Sequence, residues 1–272
     1  MAVSVLKHNT SSTKAQSVAA ANNITPSELN TNDSHGRTVL FYASRYGKLA
    51  AVKNLIKAGG DPNISDVDES SPLHEAVERC HHDIVKILLK HRSIDVNTKN
   101  KHGQTPLMKA VIYDDEEMVK LLHKSGADLD VEDSTGKSAF LIGMSEGREK
   151  TTEYLMKNGC DINKIDRLGQ TALYLGVISP SRASKNSETI RKMLKLGYTL
   201  EKDEYWLVKA GVDIDTFTHQ NFFQKLASRF MRNTQRRRFS EGGPTDRQRS
   251  ATVVYNDKHE QRFSARSKSF NI

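Results

Sequence analysis

Apolar residues recur along the chain in a frame of about 33 residues. Each frame contains a polar segment, a short apolar stretch that starts at Thr or Ser, and a second apolar run that ends in a Gly-containing turn. In the second run the apolar residues are spaced three and four apart, as at Ile84, Ile87 and Leu88, which places them on one helical face. The pattern therefore predicts a pair of short amphipathic helices in every frame.

The beginning of each frame is marked by a glycine two residues before a hydroxyl residue. These glycines are Gly36, Gly103, Gly136 and Gly169, and Glu69 stands at the corresponding position of the second frame. Related tetrapeptides follow at Thr38–Phe41, Ser71–His74, Thr105–Met108, Ser138–Leu141 and Thr171–Tyr174. A hydroxyl before Pro or Ala is typical of a helix N-cap, so the first helix begins there. Because no frame can bury its apolar face alone, the repetition predicts stacked units that share one core.

These units resemble the ankyrin-repeat family, whose pattern is a turn, Thr-Pro-Leu-His, a short helix, and a second helix that ends in Gly-Ala-Asp. The resemblance covers five units over about residues 31–200, and it implies an all-α helical repeat solenoid with short β-hairpin turns. In the second unit Glu69 replaces the hairpin glycine, from which we expect a tighter or distorted hairpin. In the fifth unit the extra polar residues predict a protruding loop over residues 178–187.

The flanks of the repeats predict three further regions. Residues 1–30 form an N-terminal extension that caps the first repeat. Residues 201–218 form a degenerate C-terminal cap, which contains the only tryptophan, Trp206. Residues 219–272 form a basic, largely disordered tail, and apolar residues at its start predict an amphipathic helix over residues 216–232.

The net charge of +8 belongs to the tail alone. Residues 219–272 contain twelve Lys and Arg against four Asp and Glu, and the rest of the chain is balanced. The high isoelectric point therefore does not identify the repeats as a nucleic-acid-binding surface. The sequence contains no stretch of about 18 apolar residues, so it predicts no transmembrane helix. Residues 1–12 lack the apolar core of a secretory signal. Having only two cysteines, Cys80 and Cys160, argues for a reducing compartment, so we expect an intracellular protein, cytoplasmic or nuclear.

The sequence contains none of the motifs of enzyme chemistry, and we predict neither an enzyme nor a cofactor. One dense group of metal-ligating residue types stands out, at His74, Cys80, His81, His82 and His91. Adjacent side chains on a helix point in different directions, and the resemblance implies a structural hydrogen bond for the histidine of the tetrapeptide. We therefore predict no metal site.

The resemblance implies protein recognition by a concave surface, formed by the hairpins and the ends of the first helices. Arginines and apolar or aromatic residues at those positions are typical of interface anchors. The predicted partner-binding residues are Arg37, Arg45, Tyr46, Val67, Arg79, Ile112, Tyr113, Arg167 and Leu168. The alternative for Ile112 and Tyr113 is that they fill gaps between units. We interpret the chain as an adaptor or scaffold that binds another protein.

The tail favours a second interpretation, a membrane-surface or nucleic-acid-associated regulatory protein whose tail is the main binder. Its apolar stripe consists of Phe222, Phe223, Leu226 and Phe230. A basic amphipathic helix is typical of segments that bind an acidic protein, an anionic membrane surface or calmodulin. The alternative is that the stripe packs on the last repeat. The basic run Arg236, Arg237 and Arg238 is also typical of nuclear import, whereas the lack of a groove-reading motif argues against nucleic acid.

Three tail serines have an arginine three positions before them, the spacing that basophilic kinases recognise. They are Ser240, Ser250 and Ser269. Each phosphate adds about −1.5 to −2 charges at pH 7, so three would cancel most of the tail's positive charge. The spacing predicts an electrostatic switch in which phosphorylation releases the tail from an anionic surface.

Overall fold

The computed structural model describes residues 29–179 and 183–211, with only the backbone for residues 183–187. Eleven helices lie within these residues, and extended structure there is limited to two isolated bridges, Glu132 to Ser138 and Ile165 to Thr171. The predicted all-α repeat architecture is therefore confirmed.

Ten of the helices form five helix–turn–helix units. The first helices of the units are α1 (Val39–Arg45), α3 (Pro72–Glu78), α5 (Pro106–Ile112), α7 (Ala139–Glu146) and α9 (Ala172–Ile178). The second helices are α2 (Leu49–Lys57), α4 (His82–Leu88), α6 (Glu116–Lys124), α8 (Glu149–Lys157) and α10 (Ala183–Lys195). A last helix, α11 (Glu204–Lys209), follows the fifth unit and carries Trp206.

Each first helix begins at the hydroxyl residue that the sequence marks. The Thr38 side chain accepts a hydrogen bond from the backbone N–H of Phe41, and the hydroxyls that start the other four units accept the equivalent bond. Pro72 and Pro106 stand at the first helical position, where a missing N–H costs nothing. The repeated Thr/Ser-Pro motif therefore acts by satisfying the free amides of each helix start.

The hairpin before each first helix is closed by one Asp or Asn side chain. Oδ1 of Asp33 accepts the backbone N–H groups of His35 and Arg37, both at 2.9 Å. The same bonds recur at Asp66, Asn100, Asp133 and Asp166. Neighbouring hairpins are joined through the backbone, as where Val67 N–H donates to the His35 carbonyl at 2.9 Å. The hairpins therefore form one hydrogen-bonded edge along the array.

The second hairpin is neither tighter nor distorted, contrary to the expectation from Glu69. Glu69 adopts the left-handed conformation with φ 58°, as Gly36 does with φ 74°. Its N–H donates to the Asp66 carbonyl at 2.9 Å, matching the 3.0 Å bond from Gly36 to Asp33. The closing Asp66 keeps the turn geometry. The strain in this hairpin is that of a non-glycine residue, Glu69, in the left-handed conformation.

A second ladder of side chains joins the turns that follow the second helices. Asn63 Oδ1 accepts the backbone N–H of Asp95 in the next unit at 2.9 Å. Equivalent bonds link Asn30 to Asp61, Asn97 to Asp128, Asp130 to Asp161 and Asn163 to Thr199. The Asn or Asp after each turn thus fixes the spacing between units.

Apolar side chains between the units form one continuous core. Each first helix packs on the first helix of the next unit, and second helices pack in the same way at α2 on α4, α6 on α8 and α8 on α10. Leu73, Leu107, Phe140 and Leu173 lie at equivalent positions and are fully buried. Burial of each such side chain stabilises the fold by about 1.5–3 kcal/mol, so the units depend on one another for stability.

The predicted loop over residues 178–187 is mostly helix, which corrects that prediction. α9 ends at Ile178 and α10 begins at Ala183, running for 13 residues where the other second helices have seven or nine. The residues from 183 onward contain no Gly or Pro before Gly197, so nothing interrupts the helix. Buried Ile190 and Met193 anchor it to the core.

Candidate protein-binding surface

The ends of the first helices in units 1–3 carry the predicted binding residues in register. Tyr46, Arg79 and Tyr113 are the C-cap residues of α1, α3 and α5, so they occupy one position of the repeat frame. We call these three residues the Tyr–Arg–Tyr row. Because these helices pack on one another in sequence, the row crosses three consecutive units.

Both tyrosines of the row keep close to half of their surface exposed, 43% for Tyr46 and 48% for Tyr113. The Tyr46 ring stacks on the Tyr42 ring with an interplanar angle of 7° and a centroid distance of 6.2 Å. Tyr42 is itself held by a 2.7 Å hydrogen bond from its hydroxyl to Asp33 Oδ2. Tyr46 is therefore an exposed aromatic ring on a rigid support.

Two ion pairs cross between units beside the row. Arg45 Nε lies 3.7 Å from Glu75 Oε2, and Lys109 Nζ lies 3.3 Å from Glu78 Oε2. Among the described residues, no ion pair or hydrogen bond involves the guanidinium of exposed Arg79. The neighbouring charges are thus paired within the array, whereas the side chain of Arg79 is exposed to solvent.

At this surface the pKa values of Glu75 and Tyr113 are both raised. Burial raises the pKa of Glu75, and the like charge of Glu78 acts in the same direction against the opposing Arg45. Its buried Oε2 accepts no hydrogen bond within the described residues. Burial also raises the pKa of Tyr113, with the charge of Glu78 as the next cause. Tyr113 is therefore a neutral phenol at physiological pH, able to donate or accept a hydrogen bond.

The hairpin residues of the predicted site divide into two groups. Arg37 and Val67 lie in the first two hairpins, where the Arg37 guanidinium is 3.3 Å from Asp66 Oδ2 and stands over the Phe41 ring. Arg167 and Leu168 lie in the fifth hairpin, and Leu168 is 72% exposed. Unit 4 lies between the two groups and carries Lys137 at the position of Arg37, Ser134 at the position of Val67 and Arg167, and Thr135 at the position of Leu168.

Ile112 lies at the edge between surface and core. It is half-buried and packs against the core cluster, whereas the adjacent Tyr113 projects farther into solvent. Ile112 therefore fits the alternative role, filling a gap between units, better than Tyr113 does.

The sequence interpretation missed Glu75 and Lys109, which lie one helical turn before Glu78 and Tyr113. The structure places both in the ion pairs that link the units. Their signal in the sequence is that both occupy the same position of the repeat. A charged residue one helical turn farther along the preceding first helix faces each of them.

The predicted tail sites lie outside the described residues. These are the apolar stripe Phe222, Phe223, Leu226 and Phe230, the basic run Arg236, Arg237 and Arg238, and the serines Ser240, Ser250 and Ser269.

The histidine cluster is used in separate contacts within the array. His74 Nε2 donates to the Gln104 carbonyl at 2.9 Å, and its Nδ1 accepts from the Ser71 backbone N–H at 3.2 Å. His81 contacts the Arg45 carbonyl at 3.2 Å, and His82 contacts Asp115 at 2.9 Å. No group of three metal-ligating side chains with a suitable arrangement occurs in residues 29–179 or 183–211.

The chain belongs to the ankyrin-repeat family. The family model described as ankyrin repeats in three copies matches residues 40–133 and 107–203, which together make up more than half of the chain. Ankyrin repeats are general protein-interaction modules, typically without enzymatic activity. The array described above is therefore a protein-binding module. No helix of the described residues has the length and apolar character needed to cross a membrane.

Several curated proteins share similarity with part of the chain. The human transient receptor potential cation channel subfamily A member 1 is 35% identical over 95 residues, which is 35% of this chain and 8% of that protein. Neurogenic locus notch homolog protein 1 of Mus musculus is 36% identical over 104 residues, and the neurogenic locus Notch protein of Drosophila melanogaster is 38% identical over 103 residues. Each of these two matches covers 38% of this chain and 4% of the relative. The chain thus spans only a small part of each relative.

Proposed function

We propose that the protein is an intracellular adaptor or scaffold without enzymatic activity, whose Tyr–Arg–Tyr row is the main contact surface for a protein partner. The observation that carries this proposal is the exposure of Tyr46, Arg79 and Tyr113 at one frame position in three consecutive units. Tyr and Arg are the residue types enriched at the energetic centres of protein interfaces.

The rigidity of the surroundings supports this role. The hairpin ladder, the caps of the first helices and the ion pairs from Arg45 and Lys109 hold the backbone beneath the row. A surface that is ordered before binding loses little conformational entropy when a partner docks. The exposed free thiol of Cys80 also fits a reducing compartment.

Affinity capture with the full chain tests this proposal. We expect Tyr113→Ala and Arg79→Ala to reduce capture of the partner without lowering the melting temperature of the array, because both side chains are exposed. Hot-spot truncations typically cost about 2 kcal/mol or more of binding free energy. If both variants melt well below the parent chain, these residues belong to the core and the assigned surface is wrong.

The second candidate function is tail-driven binding to an anionic membrane surface, an acidic protein or calmodulin. The observation that favours it is the concentration of the whole net charge in residues 219–272. Salt separates the two functions, because binding by the tail should collapse at high ionic strength while binding by the row should change less. A chain truncated after Asp215 should keep row-driven binding and lose tail-driven binding.

Phosphorylation of Ser240, Ser250 and Ser269 is proposed as the regulator of the tail. We expect a peptide of residues 219–272 to bind anionic vesicles when unmodified and to dissociate when the three serines are phosphorylated. Equal binding by both forms, or by neither, would remove this part of the proposal and leave the row unaffected.

A further inference from the structure

The charged residues around the Tyr–Arg–Tyr row carry one net positive charge. Glu75 Oε2 lies 3.7 Å from Arg45 Nε of the preceding unit. Glu78 Oε2 lies 3.3 Å from Lys109 Nζ of the following unit. Among these four residues and Arg79, cations outnumber anions by one. Arg79 is the exposed C-cap residue of α3, so its guanidinium presents this charge to solvent.

Tyr113 lies within electrostatic reach of this guanidinium. Burial raises the pKa of Tyr113, and the positive charge of Arg79 partly opposes the increase. The phenol keeps its proton at neutral pH, so its hydroxyl can donate a hydrogen bond to an anion that Arg79 holds. Together the two side chains offer hydrogen-bond donors to a bound anion.

A carboxylate fits this arrangement better than a phosphate group does. The planar guanidinium of arginine donates two parallel hydrogen bonds to a carboxylate. A phosphate group carries about −1.5 to −2 charges at pH 7 and is typically recognised by clusters of arginines. After burial, the negative charges of Glu78 and Glu75 also raise the pKa of Tyr113. These charges would repel a dianion more strongly than a singly charged carboxylate.

The row has a spacing that an extended peptide can match. α1 packs on α3, and α3 packs on α5; packed helices lie about 8–10 Å apart. Because the three residues share one position of the repeat, Tyr46 and Tyr113 flank Arg79 at about this spacing. A peptide in the polyproline II conformation advances about 9 Å in three residues and places every third side chain on one side. Residues three positions apart in such a peptide would therefore meet successive members of the row.

We propose that the row binds an extended segment of its partner in which an Asp or Glu pairs with Arg79. Apolar or aromatic residues three positions before and after this acid pack on the rings of Tyr46 and Tyr113. This inference rests on the proposed function of the row, to which it adds the chemistry and the residue spacing of the partner.

Selection of peptides by the full chain tests the acidic partner. The probe is a phage-displayed library of random dodecapeptides, and the selected sequences are synthesised for affinity measurements. We expect an Asp or Glu with apolar or aromatic residues three positions away on both sides. Replacing that acid by its amide, Asn or Gln, should weaken binding by about 10-fold or more, because the bidentate charged pair is lost.

Variants of the full chain separate the effect of Arg79 from that of the overall charge. Arg79→Glu should weaken binding of the selected peptides by about 100-fold, whereas Arg79→Lys should weaken it by about 5-fold, because lysine keeps the charge but not the planar fork. The matched control is Arg92→Glu, which makes the same change of charge at an exposed residue of the same unit, after α4. It should leave the affinity within about twofold of the parent, since solvent screens a distant charge. Equal melting temperatures check that the variants are folded.

Three results would overturn the acidic partner. The selected peptides lack a recurrent Asp or Glu, or Arg79→Glu and Arg92→Glu weaken binding equally, which would assign the selection to the general positive charge of the chain. The third is tighter binding when phosphoserine replaces the acid, which would assign the row to a phosphorylated partner.

The proposed function of the row can fail separately from this inference. If Tyr46→Ala and Tyr113→Ala weaken binding but Arg79→Glu does not, the row remains the contact surface and the acidic partner is rejected. If none of the three variants weakens binding, the row is not the contact surface, and this inference fails with it.

Discussion

Units 1–3 and units 4–5 share one backbone plan but differ at the ends and inner faces of their first helices. In units 1–3 these positions of the first helices hold charged or aromatic residues, such as Glu75, Lys109 and Tyr113. In units 4 and 5 the position of Glu75 is taken by Ile142 and Leu175, both buried. The same scaffold thus presents a polar, aromatic surface at one end and an apolar, closely packed helix face at the other.

The difference shows that the repeated residues and the variable residues have separate tasks. Hydroxyl caps, closing Asp or Asn residues and buried apolar residues recur in all five units, because each unit must stack on the next. The Tyr–Arg–Tyr row occupies positions that stacking leaves free, and only units 1–3 use them for aromatic and cationic side chains. The exposed aromatic and cationic residues at these positions are therefore concentrated in one part of a uniform array.

Breaking the shared hairpin edge should have the largest effect. A Cβ at Gly103, where φ is +70°, would lie 2.6 Å from the backbone nitrogen of Ser134 in the next hairpin. We expect Gly103→Ala to lower the free energy of unfolding by about 4 kcal/mol, through backbone strain and displacement of the neighbouring hairpin. Gly126→Ala is the matched control, because Gly126 has φ +95° but open space around a Cβ. Its cost should be only about 1–2 kcal/mol in urea unfolding, and equal costs would contradict the stacked hairpin edge.

The second prediction concerns how the free energy of unfolding depends on pH. It compares the residues that units 2 and 3 place at one position of the repeat. Burial lowers the pKa of His74 to about 4 from an ordinary value of 6.5. Between these values the unfolded chain binds a proton that the folded chain excludes, so the stability contributed by neutral His74 is present above pH 6.5 and is lost as the pH falls towards 4. From pH 7 to pH 4 the loss should be about 3 kcal/mol.

His74→Met is the control for this pH effect, because Met108 fills the same position in unit 3. Urea unfolding of both chains at pH 7, 5.5 and 4 gives the difference due to His74 alone. An unchanged pH dependence in the variant would mean that His74 is not kept neutral by burial.

The smallest effect concerns the one hairpin that lacks glycine. Glu69→Gly removes the strain of a left-handed non-glycine residue and should raise the free energy of unfolding by about 1 kcal/mol. Glu69→Ala removes the same carboxylate but keeps the Cβ, so it should give no such gain. If both variants have the same stability, the conformation of Glu69 is not a source of strain.

The sequence predicts the array well because its determinants are local and repeated. Thr38, Ser71 and their equivalents define helix starts, and the glycine frame defines the hairpins, as the structure confirms. Contacts between units are harder to predict. The bond from Thr151 Oγ1 to Asp114 Oδ1, 3.0 Å long, joins residues of adjacent units that have no repeated motif.

The proposed binding surface can be predicted from the sequence only in part. Frame positions gave Tyr46 and Tyr113, whereas the pairing of Arg45 with Glu75 emerges only when charged residues one helical turn apart in adjacent units are compared. The insertion in unit 5 was misread as a loop because polar composition is shared by loops and exposed helix surfaces.

The most direct test of the account compares one frame position in two parts of the array. The affinity of the full chain for its captured partner is measured for Arg79→Ala and for Glu146→Ala, whose wild-type residues are exposed at the same frame position in units 2 and 4. The account predicts that Arg79→Ala weakens binding by about 30-fold, equivalent to a loss of about 2 kcal/mol, while Glu146→Ala stays within about twofold of the parent. Equal weakening by both variants, or a larger effect of Glu146→Ala, would contradict the claim that units 1–3 carry the binding surface.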